Sequence, residues 1–164
     1  MLPAIMRGSI LDGKFVLAVD DDPGVLKLLE EKISEACPGC KLDKATTYQE
    51  AAAKIGSSTY DLVLLDIMGV RGFDLLDLAV ARNVPAAMLA TYPPNPEALK
   101  RSIEMGARGY ILKVKLEEIV PILEDVLTSE YLPGWRRVLG KMREQIENGE
   151  LSWDMFPPQK KEEK

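Results

Sequence analysis

The chain has 164 residues, of which 46% are hydrophobic; this length favours one domain with an extension, and no apolar run reaches the ~18–20 residues needed to span a bilayer. Its net charge of −5 and its pI near 4.9 disfavour nucleic acid as the main partner, because binding a phosphate backbone requires a basic surface. The chain contains no histidine, which excludes Ser-His and Cys-His hydrolase mechanisms.

The N-terminal residues show no pattern typical of a targeting segment. Residues 1–7 place apolar side chains before their only charge, Arg7, and lack the basic start followed by a long apolar stretch of a signal peptide. We therefore expect a cytoplasmic protein without membrane contact.

Along the first half of the chain, apolar runs alternate with amphipathic stretches, which is typical of a parallel sheet in an α/β fold. Strands are predicted at residues 14–19, 42–45 and 62–66. Helices are predicted at residues 23–36, 47–56 and 72–82. Asp22 is expected to cap the first helix, with Pro23 in its first turn, and residues 47–50 have the sequence of a capping box.

The second half continues the same alternation. It is predicted to contain strands at residues 86–90 and 109–112 and helices at residues 96–106 and 116–129. Asn95 is expected to cap the fourth helix. Pro121 conflicts with an uninterrupted fifth helix, because proline lacks a backbone donor and crowds the preceding turn. We therefore expect a separate turn first and a regular helix only from about Ile119. Together these elements form one predicted domain over residues 10–130.

A C-terminal segment follows this domain. Residues 131–156 are predicted to be a helical extension, and the polar residues 157–164 a disordered tail. Apolar side chains recur in the extension at the spacing of one helix face: Trp135, Val138, Leu139, Met142 and Ile146. Such a face needs a surface to pack against, either its own domain or a second subunit, and the second alternative predicts a homodimer.

The two cysteines are Cys37 and Cys40, in a Cys-Pro-Gly-Cys sequence. This spacing occurs in redox pairs and in half of a zinc site. A thioredoxin-like pair follows a strand at a helix N-terminus, whereas this pair follows a predicted helix. We favour ordinary loop thiols, and redox activity stays open.

Acidic residues stand at the ends of two apolar strands, and a lysine at the end of a third. Asp20, Asp21 and Asp22 follow the first strand, Asp66 ends the third, and Lys113 follows the fifth. In an open parallel sheet, ligands bind beyond the carboxyl ends of the strands. If these strands are neighbours, their carboxylates meet, and oxygen ligands of this kind favour Mg²⁺. Asp22 is most simply explained as a helix cap.

With these residues the sequence resembles the receiver domains of two-component response regulators. The matching segments occur in the family's order, at residues 19–23, 61–68, 105–110 and 111–113. The resemblance implies a flavodoxin-like five-stranded parallel sheet of order 2-1-3-4-5 with five flanking helices, to which this chain adds a C-terminal extra helix.

We call Asp20, Asp21, Asp66 and Lys113 the acid cluster. The resemblance also implies a role for each of these residues. Asp66 is the implied phosphoacceptor, and Lys113 is expected to pair with a phosphoryl oxygen. Asp21 and Asp66 are the implied direct Mg²⁺ ligands, together with the main-chain carbonyl of Met68. Asp20 is expected to act on the ion through a bound water.

The sequence departs from the family pattern at three places. The family's Thr or Ser at the end of strand 4 falls on Ala90, and Thr91 comes next, so Thr91 is the tentative substitute. Val70 replaces the usual proline in the loop after strand 3, and Val114 replaces the proline after the lysine. Tyr110 occupies the position of the family's switch aromatic, although a half-buried strand tyrosine explains it equally well.

The sequence therefore predicts a stand-alone receiver in phosphorelay signal transduction. It would accept a phosphoryl group from a sensor histidine kinase or phosphotransfer protein and signal to a downstream protein target, with at most slow self-dephosphorylation and no enzymatic turnover. The alternative is a non-phosphorylated pseudo-receiver acting as an adaptor. A phosphatase of the haloacid dehalogenase class is disfavoured because its second aspartate would fall on Met68. Charge and length disfavour a transcription factor.

Overall fold

The computed structural model describes residues 9–91 and 95–128, in which five β-strands alternate with five α-helices. The strands are β1 (Phe15–Val19), β2 (Lys41–Ala45), β3 (Leu62–Asp66), β4 (Ala86–Ala90) and β5 (Gly109–Leu112). The helices are α1 (Pro23–Ala36), α2 (Tyr48–Ser57), α3 (Gly72–Ala81), α4 (Pro96–Met105) and α5 (Ile119–Thr128). The predicted alternation is confirmed.

All neighbouring strands are parallel, and their order is β2-β1-β3-β4-β5. This confirms the predicted flavodoxin-like order. Val19 lies opposite Leu65, and Ala90 lies opposite Leu112. The carboxyl ends of β1, β3, β4 and β5 therefore meet at one edge of the sheet, where the predicted site residues stand.

Side chains of each strand alternate between two hydrophobic layers. Leu17 and Val19 of β1 join the layer formed with α2, α3 and α4, whereas Val16 and Ala18 join the layer formed with α1 and α5. Every residue of β3 is buried, as expected for a central strand covered by helices on both faces. Burial of each large side chain stabilises the fold by about 1.5–3 kcal/mol.

The predicted helix caps are present. The Thr47 side chain accepts from the main-chain N–H of Glu50 at 3.1 Å, and Glu50 accepts in return from Thr46. The other two predicted caps, Asp22 and Asn95, each accept one main-chain N–H of their own helix. Local sequence thus fixes where α1, α2 and α4 begin.

The chain reaches α5 through a separate turn, as Pro121 predicted. Residues Lys113–Glu118 form a 3₁₀ turn, and α5 begins at Ile119. Pro121 therefore lies in the first helical turn, where backbone N–H groups have no partner within the helix. Strand β5 ends at Leu112, and Lys113 is the first residue of the turn.

Some predictions concern residues outside those described. The predicted helical extension at residues 131–156 and the tail at residues 157–164 are among them. In the described ranges, no helix is long and apolar enough to cross a membrane.

Both cysteines are buried at the end of α1, as free thiols. Burial raises the pKa of the Cys40 thiol to about 11, and Cys37 acts in the same direction. A raised thiol pKa disfavours the thiolate, which is the reactive form. This environment is typical of structural thiols, and the prediction of ordinary loop thiols stands.

Candidate functional site

Three aspartates converge at the carboxyl edge of the sheet. Asp20 and Asp21 follow β1, and Asp66 is the last residue of β3. One carboxylate oxygen of each lies within 4.8 Å of the others. Asp20 is fully buried and Asp66 is 4% exposed, while Asp21 is exposed. The strand order thus brings together the three carboxylates that the sequence predicted to meet.

Lys113 joins the cluster from the end of β5. Its Nζ lies 2.8 Å from Asp20 Oδ2 and 2.9 Å from Asp66 Oδ1. Its side chain is 19% exposed, so both ion pairs are only partly screened by water. Three carboxylates and one ammonium leave a formal charge of −2 when all four groups are ionised.

Main-chain donors hold two of the carboxylates in place. Asp20 Oδ1 accepts from the N–H of Asp22, and Asp66 Oδ2 accepts from the N–H of Gly69, each at 2.9 Å. Asp20 Oδ2 is enclosed, yet it receives no aligned hydrogen bond from any described residue. Its contact is the ion pair with Lys113 at 2.8 Å, and Lys113 shares its ammonium with Asp66.

Burial and neighbouring charges shift the pKa values of Asp20 and Lys113. Burial raises the pKa of Asp20, and repulsion from Asp66 adds to it, against the opposing effects of Lys113 and the Asp22 N–H. Burial lowers the pKa of Lys113, but pairing with Asp20 and Asp66 outweighs it, and the pKa is raised. The single ammonium is firmly protonated and does not balance the carboxylates.

This donor set fits a hard divalent cation. Oxygen ligands of Mg²⁺ lie about 2.0–2.1 Å from the ion, and one carboxylate oxygen each of Asp20, Asp21 and Asp66 lies within 4.8 Å of the others, so these residues could hold a small cation among them. The carboxylates supply only oxygen ligands, without sulfur or imidazole, and the single ammonium beside them does not balance their charge. Met68, whose carbonyl is the predicted fourth ligand, lies in the loop directly after β3, with an exposed side chain.

The predicted switch residues lie at the end of β4 and within β5. Tyr110 is buried in the layer with α4, and burial raises the pKa of its phenol, against a main-chain hydrogen bond at Asn95. Ala90 ends β4 in the same layer, and Thr91 follows it with an exposed side chain. No hydrogen bond connects Thr91 to Asp66 or Lys113 in the described ranges. The role predicted for Thr91 remains a prediction.

The loop after β3 contributes features that the sequence analysis missed. Gly69 supplies the N–H on Asp66, and Gly72 packs so closely that a Cβ there would lie 2.2 Å from the Asp66 carbonyl oxygen. Val70, which replaces the family's proline, is buried in the core, while Val114 is exposed. Two glycines within six residues of a strand-ending aspartate were the available signal.

Comparison with known proteins places this geometry in a family. The response regulator receiver domain family matches residues 16–124. The two-component response regulator ARR12 of Arabidopsis thaliana is 32% identical over 127 residues, which cover 73% of this chain and 20% of that protein. For ORR23 of Oryza sativa subsp. japonica the identity is 35%, over 73% of this chain and 18% of that protein. The chain spans about a fifth of these curated relatives.

Solved structures agree on the fold. The receiver domain of NtrX from Brucella abortus matches with a TM-score of 0.61 at 28% identity, over 70% of this chain and 99% of that one. A response regulator from Thermotoga maritima matches with a TM-score of 0.63 at 21% identity, over 71% and 98%, which shows the fold alone.

Receiver domains generally act as non-enzymatic signalling domains that interact with histidine kinases or phosphotransfer proteins, and they characteristically bind Mg²⁺ in an acidic pocket. The matched residues include the complete acid cluster of Asp20, Asp21, Asp66 and Lys113. The chain therefore belongs to the response regulator receiver domain family, whose members act in phosphorelay signalling.

Proposed function

We propose that this receiver accepts a phosphoryl group on Asp66 from a phosphohistidine of a sensor kinase or phosphotransfer protein, and then signals to a downstream protein through surface contacts. The observation that carries this proposal is the position of Asp66. Asp66 Oδ1 lies 2.9 Å from Lys113 Nζ, and Asp66 Oδ2 lies 2.9 Å from the main-chain nitrogen of Gly69. The carboxylates of Asp20 and Asp21 lie beside it. The proposed nucleophile, Asp66, is thus held next to the ammonium of Lys113 and next to the two carboxylates that would help to bind a metal cation.

The transfer step uses few protein groups. A carboxylate oxygen of Asp66 forms a bond to phosphorus while the P–N bond of the phosphohistidine breaks, and the electron pair stays on the imidazole nitrogen. The product is an acyl phosphate. Because phosphoryl transfer depends on positioning and charge neutralisation, the main work of the protein is to place Lys113 against the incoming phosphoryl oxygens.

Mg²⁺ is the cofactor that we propose for the acid cluster. Asp21, Asp66 and the main-chain carbonyl of Met68 would bind it directly, and Asp20 would act through a bound water. When bound, the ion supplies positive charge that neutralises the carboxylates and the phosphoryl oxygens. This role is consistent with the convergence of three carboxylates on one ammonium and with the formal charge of −2.

The acyl phosphate is expected to decay slowly, without turnover of a substrate. A positioned general base would accelerate its hydrolysis, and the chain has no histidine for that role. A radiolabelled phosphoprotein, separated from its phosphodonor, should therefore lose label over time and release no more than one phosphate per chain.

Labelling by acetyl phosphate tests the proposal. With Mg²⁺, the wild-type protein should give one retarded band on Phos-tag electrophoresis, and Asp66→Asn should abolish it. Asp74→Asn is the matched control, because Asp74 is exposed in the first turn of α3 and, among the described residues, pairs with exposed Arg71. Undiminished labelling of the Asp66→Asn protein would show that Asp66 is not the phosphoacceptor.

A second candidate function is an adaptor that binds partners without phosphorylation. The observation in its favour is Ala90, which leaves the end of β4 without the family's hydroxyl in the layer that holds Tyr110. The complete acid cluster opposes it. A wild-type protein that binds Mg²⁺ but stays unlabelled by acetyl phosphate would favour the adaptor.

A homodimer is a further proposal, and it depends on the predicted helix at residues 131–156. Deleting residues 131–164 tests it. If the helix is a dimer contact, the wild type should be a dimer by light scattering and the truncated protein a folded monomer. A wild type that is monomeric at high concentration, with and without beryllofluoride, would rule the contact out.

A further inference from the structure

The loop between β3 and α3 lies against the acid cluster at two points. A Cβ at Gly69 would lie 2.3 Å from Asp21 Oδ1, and a Cβ at Gly72 would lie 2.2 Å from the main-chain oxygen of Asp66. The Gly69 N–H also donates to Asp66 Oδ2 at 2.9 Å. The path of this loop therefore decides where two of the three carboxylates stand.

One residue of the loop has an unfavourable backbone conformation. Arg71 has φ 57° and ψ 52°, in the left-handed region that residues with a side chain rarely adopt. It stands at the N-cap position of α3, but its side chain makes no capping hydrogen bond. Such a conformation persists only where surrounding contacts hold it. The contacts of Arg71 should therefore be what stabilises it.

The Arg71 side chain has two such contacts. Its guanidinium carbon lies 4.0 Å above the centre of the Tyr48 ring, in the first turn of α2, and its Nε lies 2.9 Å from Asp74 Oδ2. Tyr48 is partly buried and packs on the core layer of α2. The preceding residue, Val70, is buried in that layer. Arg71 thus ties the loop to α2, an element distant in the chain.

We propose that Arg71, stacked on Tyr48, is a positioning residue of the phosphoacceptor site. The stack holds residues 67–71 in the path that presents the Gly69 N–H to Asp66 and places the Gly69 backbone against Asp21. Without the stack, the left-handed conformation of Arg71 loses support, and the loop moves away from the carboxylates. This role rests on the proposed function, because it concerns the site that would bind Mg²⁺ and accept the phosphoryl group.

The exposure of the Arg71 side chain sets how much the stack on Tyr48 can contribute. The Arg71 side chain is 61% exposed, and a cation stacked on a ring at an exposed site changes an equilibrium by roughly two- to fivefold. The ion pair with Asp74 is also exposed and contributes less. We therefore expect a measurable loosening of the loop with an intact fold.

The experiment compares full-length variants by amide hydrogen exchange and by NMR titration with Mg²⁺. Arg71→Gln removes the cation but keeps a side chain with the same backbone strain. Tyr48→Leu removes the ring, and Tyr48→Phe keeps it. We expect Arg71→Gln and Tyr48→Leu to speed exchange of the Gly69 amide roughly two- to fivefold and to weaken Mg²⁺ binding by a similar factor. Tyr48→Phe should match the wild type.

Arg101→Gln is the matched control. Arg101 stacks on Phe73 at 4.3 Å, but this pair joins α4 to α3 and does not involve the loop. It should leave the Gly69 amide and Mg²⁺ affinity unchanged. The proposal is overturned if Arg71→Gln keeps the Gly69 exchange rate and the Mg²⁺ affinity of the wild type. It is also overturned if Arg101→Gln changes both quantities as much as Arg71→Gln does. A Tyr48→Phe protein that behaves like Tyr48→Leu would overturn it as well. If Tyr48→Leu does not fold, Arg71→Gln decides alone, since its side chain is exposed.

Failure of the proposed function gives a different pattern. An unlabelled wild-type protein would reject Asp66 as a phosphoacceptor, whereas Gly69 exchange in Arg71→Gln still reports whether the stack holds the loop. Acetyl phosphate labelling of the same variants adds a second measure. The labelling rate should fall by the same roughly two- to fivefold factor below saturating Mg²⁺ and recover at saturation.

Discussion

Two clusters in this domain pair a lysine with carboxylates, and they shift the pKa of a partly or fully buried aspartate in opposite directions. In the first, Asp43 of the edge strand β2 pairs with Lys54 of α2 at 2.9 Å and accepts from the Tyr60 hydroxyl at 2.8 Å. Lys54 also donates to the Lys44 carbonyl oxygen at 2.7 Å. Both oxygens of Asp43 thus have donors, and the Lys54 ammonium also lies 3.6 Å from Glu50 Oε2.

The acid cluster also combines carboxylates with one lysine ammonium, but it has more carboxylates. Three carboxylates converge on one ammonium, that of Lys113, which pairs with Asp20 and Asp66. The pKa values diverge accordingly. Burial raises the pKa of both Asp20 and Asp43, but the bonds from Lys54 and Tyr60 outweigh burial at Asp43, whose pKa is lowered, whereas that of Asp20 stays raised. The Asp43 cluster is complete without a ligand, while the acid cluster has room for a cation.

Removal of each lysine gives the largest expected contrast. Lys113→Met leaves the fully buried Asp20 without a counter-ion, and we expect a loss of about 3 kcal/mol in the free energy of unfolding. Lys54→Met should cost only about 1 kcal/mol, because the Lys54 side chain is 31% exposed. Urea unfolding at pH 7 in EDTA measures both. Equal losses would contradict the distinction between the clusters.

Magnesium should stabilise the protein through one cluster only. At a hundred times its dissociation constant, a ligand of the folded state adds about 2.7 kcal/mol. Asp43→Asn should keep this increment, since Asp43 lies outside the acid cluster, while Asp21→Asn should lose it. Thermal unfolding with and without Mg²⁺, followed by NMR titration, gives the measurement. The cation site is wrongly placed if Asp21→Asn keeps the Mg²⁺-dependent shifts of the wild type.

Acidification should affect the two clusters with opposite sign. The folded pKa of Asp43 lies below its ordinary value of 3.8, so its stabilising effect is present above pH 3.8 and is lost as pH falls below it. The folded pKa of Asp20 lies above 3.8, so its ionised form costs stability, and the fold gains as pH falls toward 3.8. Each proton changes stability by at most about 1.4 kcal/mol per pH unit.

Urea midpoints between pH 3 and pH 7 in EDTA can separate these two effects. Asp43→Asn should flatten the loss of stability below pH 3.8, and Asp20→Asn should flatten the change above it. Identical pH profiles for the two variants would mean that the clusters do not differ in charge balance.

Much of the fold was predictable because its signals are local. β3 is a continuous apolar run, and the caps at Asp22, Thr47 and Asn95 mark helix starts by their own side chains. The meeting of Asp20, Asp66 and Lys113 needed one further assumption, the strand order. Once the order is 2-1-3-4-5, the strand ends place these residues at one edge.

Contacts between distant segments were not predictable from local patterns. Arg71 reaches Tyr48 across 23 positions of the sequence (71 − 48), and Asp43 reaches Tyr60 across 17 (60 − 43). Neither pair belongs to a periodic or capping pattern. Their geometry depends on how α2 packs beside the sheet, which composition and spacing do not specify. The same limit applies to Lys113, whose double pairing depends on side-chain conformation.

Removal of single hydroxyl groups gives the smallest expected effects on stability. Tyr60→Phe takes one donor from Asp43 and should cost about 1 kcal/mol. Thr91→Ala should change stability by no more than about 0.5 kcal/mol, because Thr91 is exposed beyond the end of β4. Its effect should instead appear on addition of beryllofluoride and Mg²⁺, as smaller NMR shift changes around Tyr110. If those shifts and the affinity for the partner protein stay as in the wild type, Thr91 does not replace the hydroxyl that Ala90 lacks, and the domain works without this part of the switch.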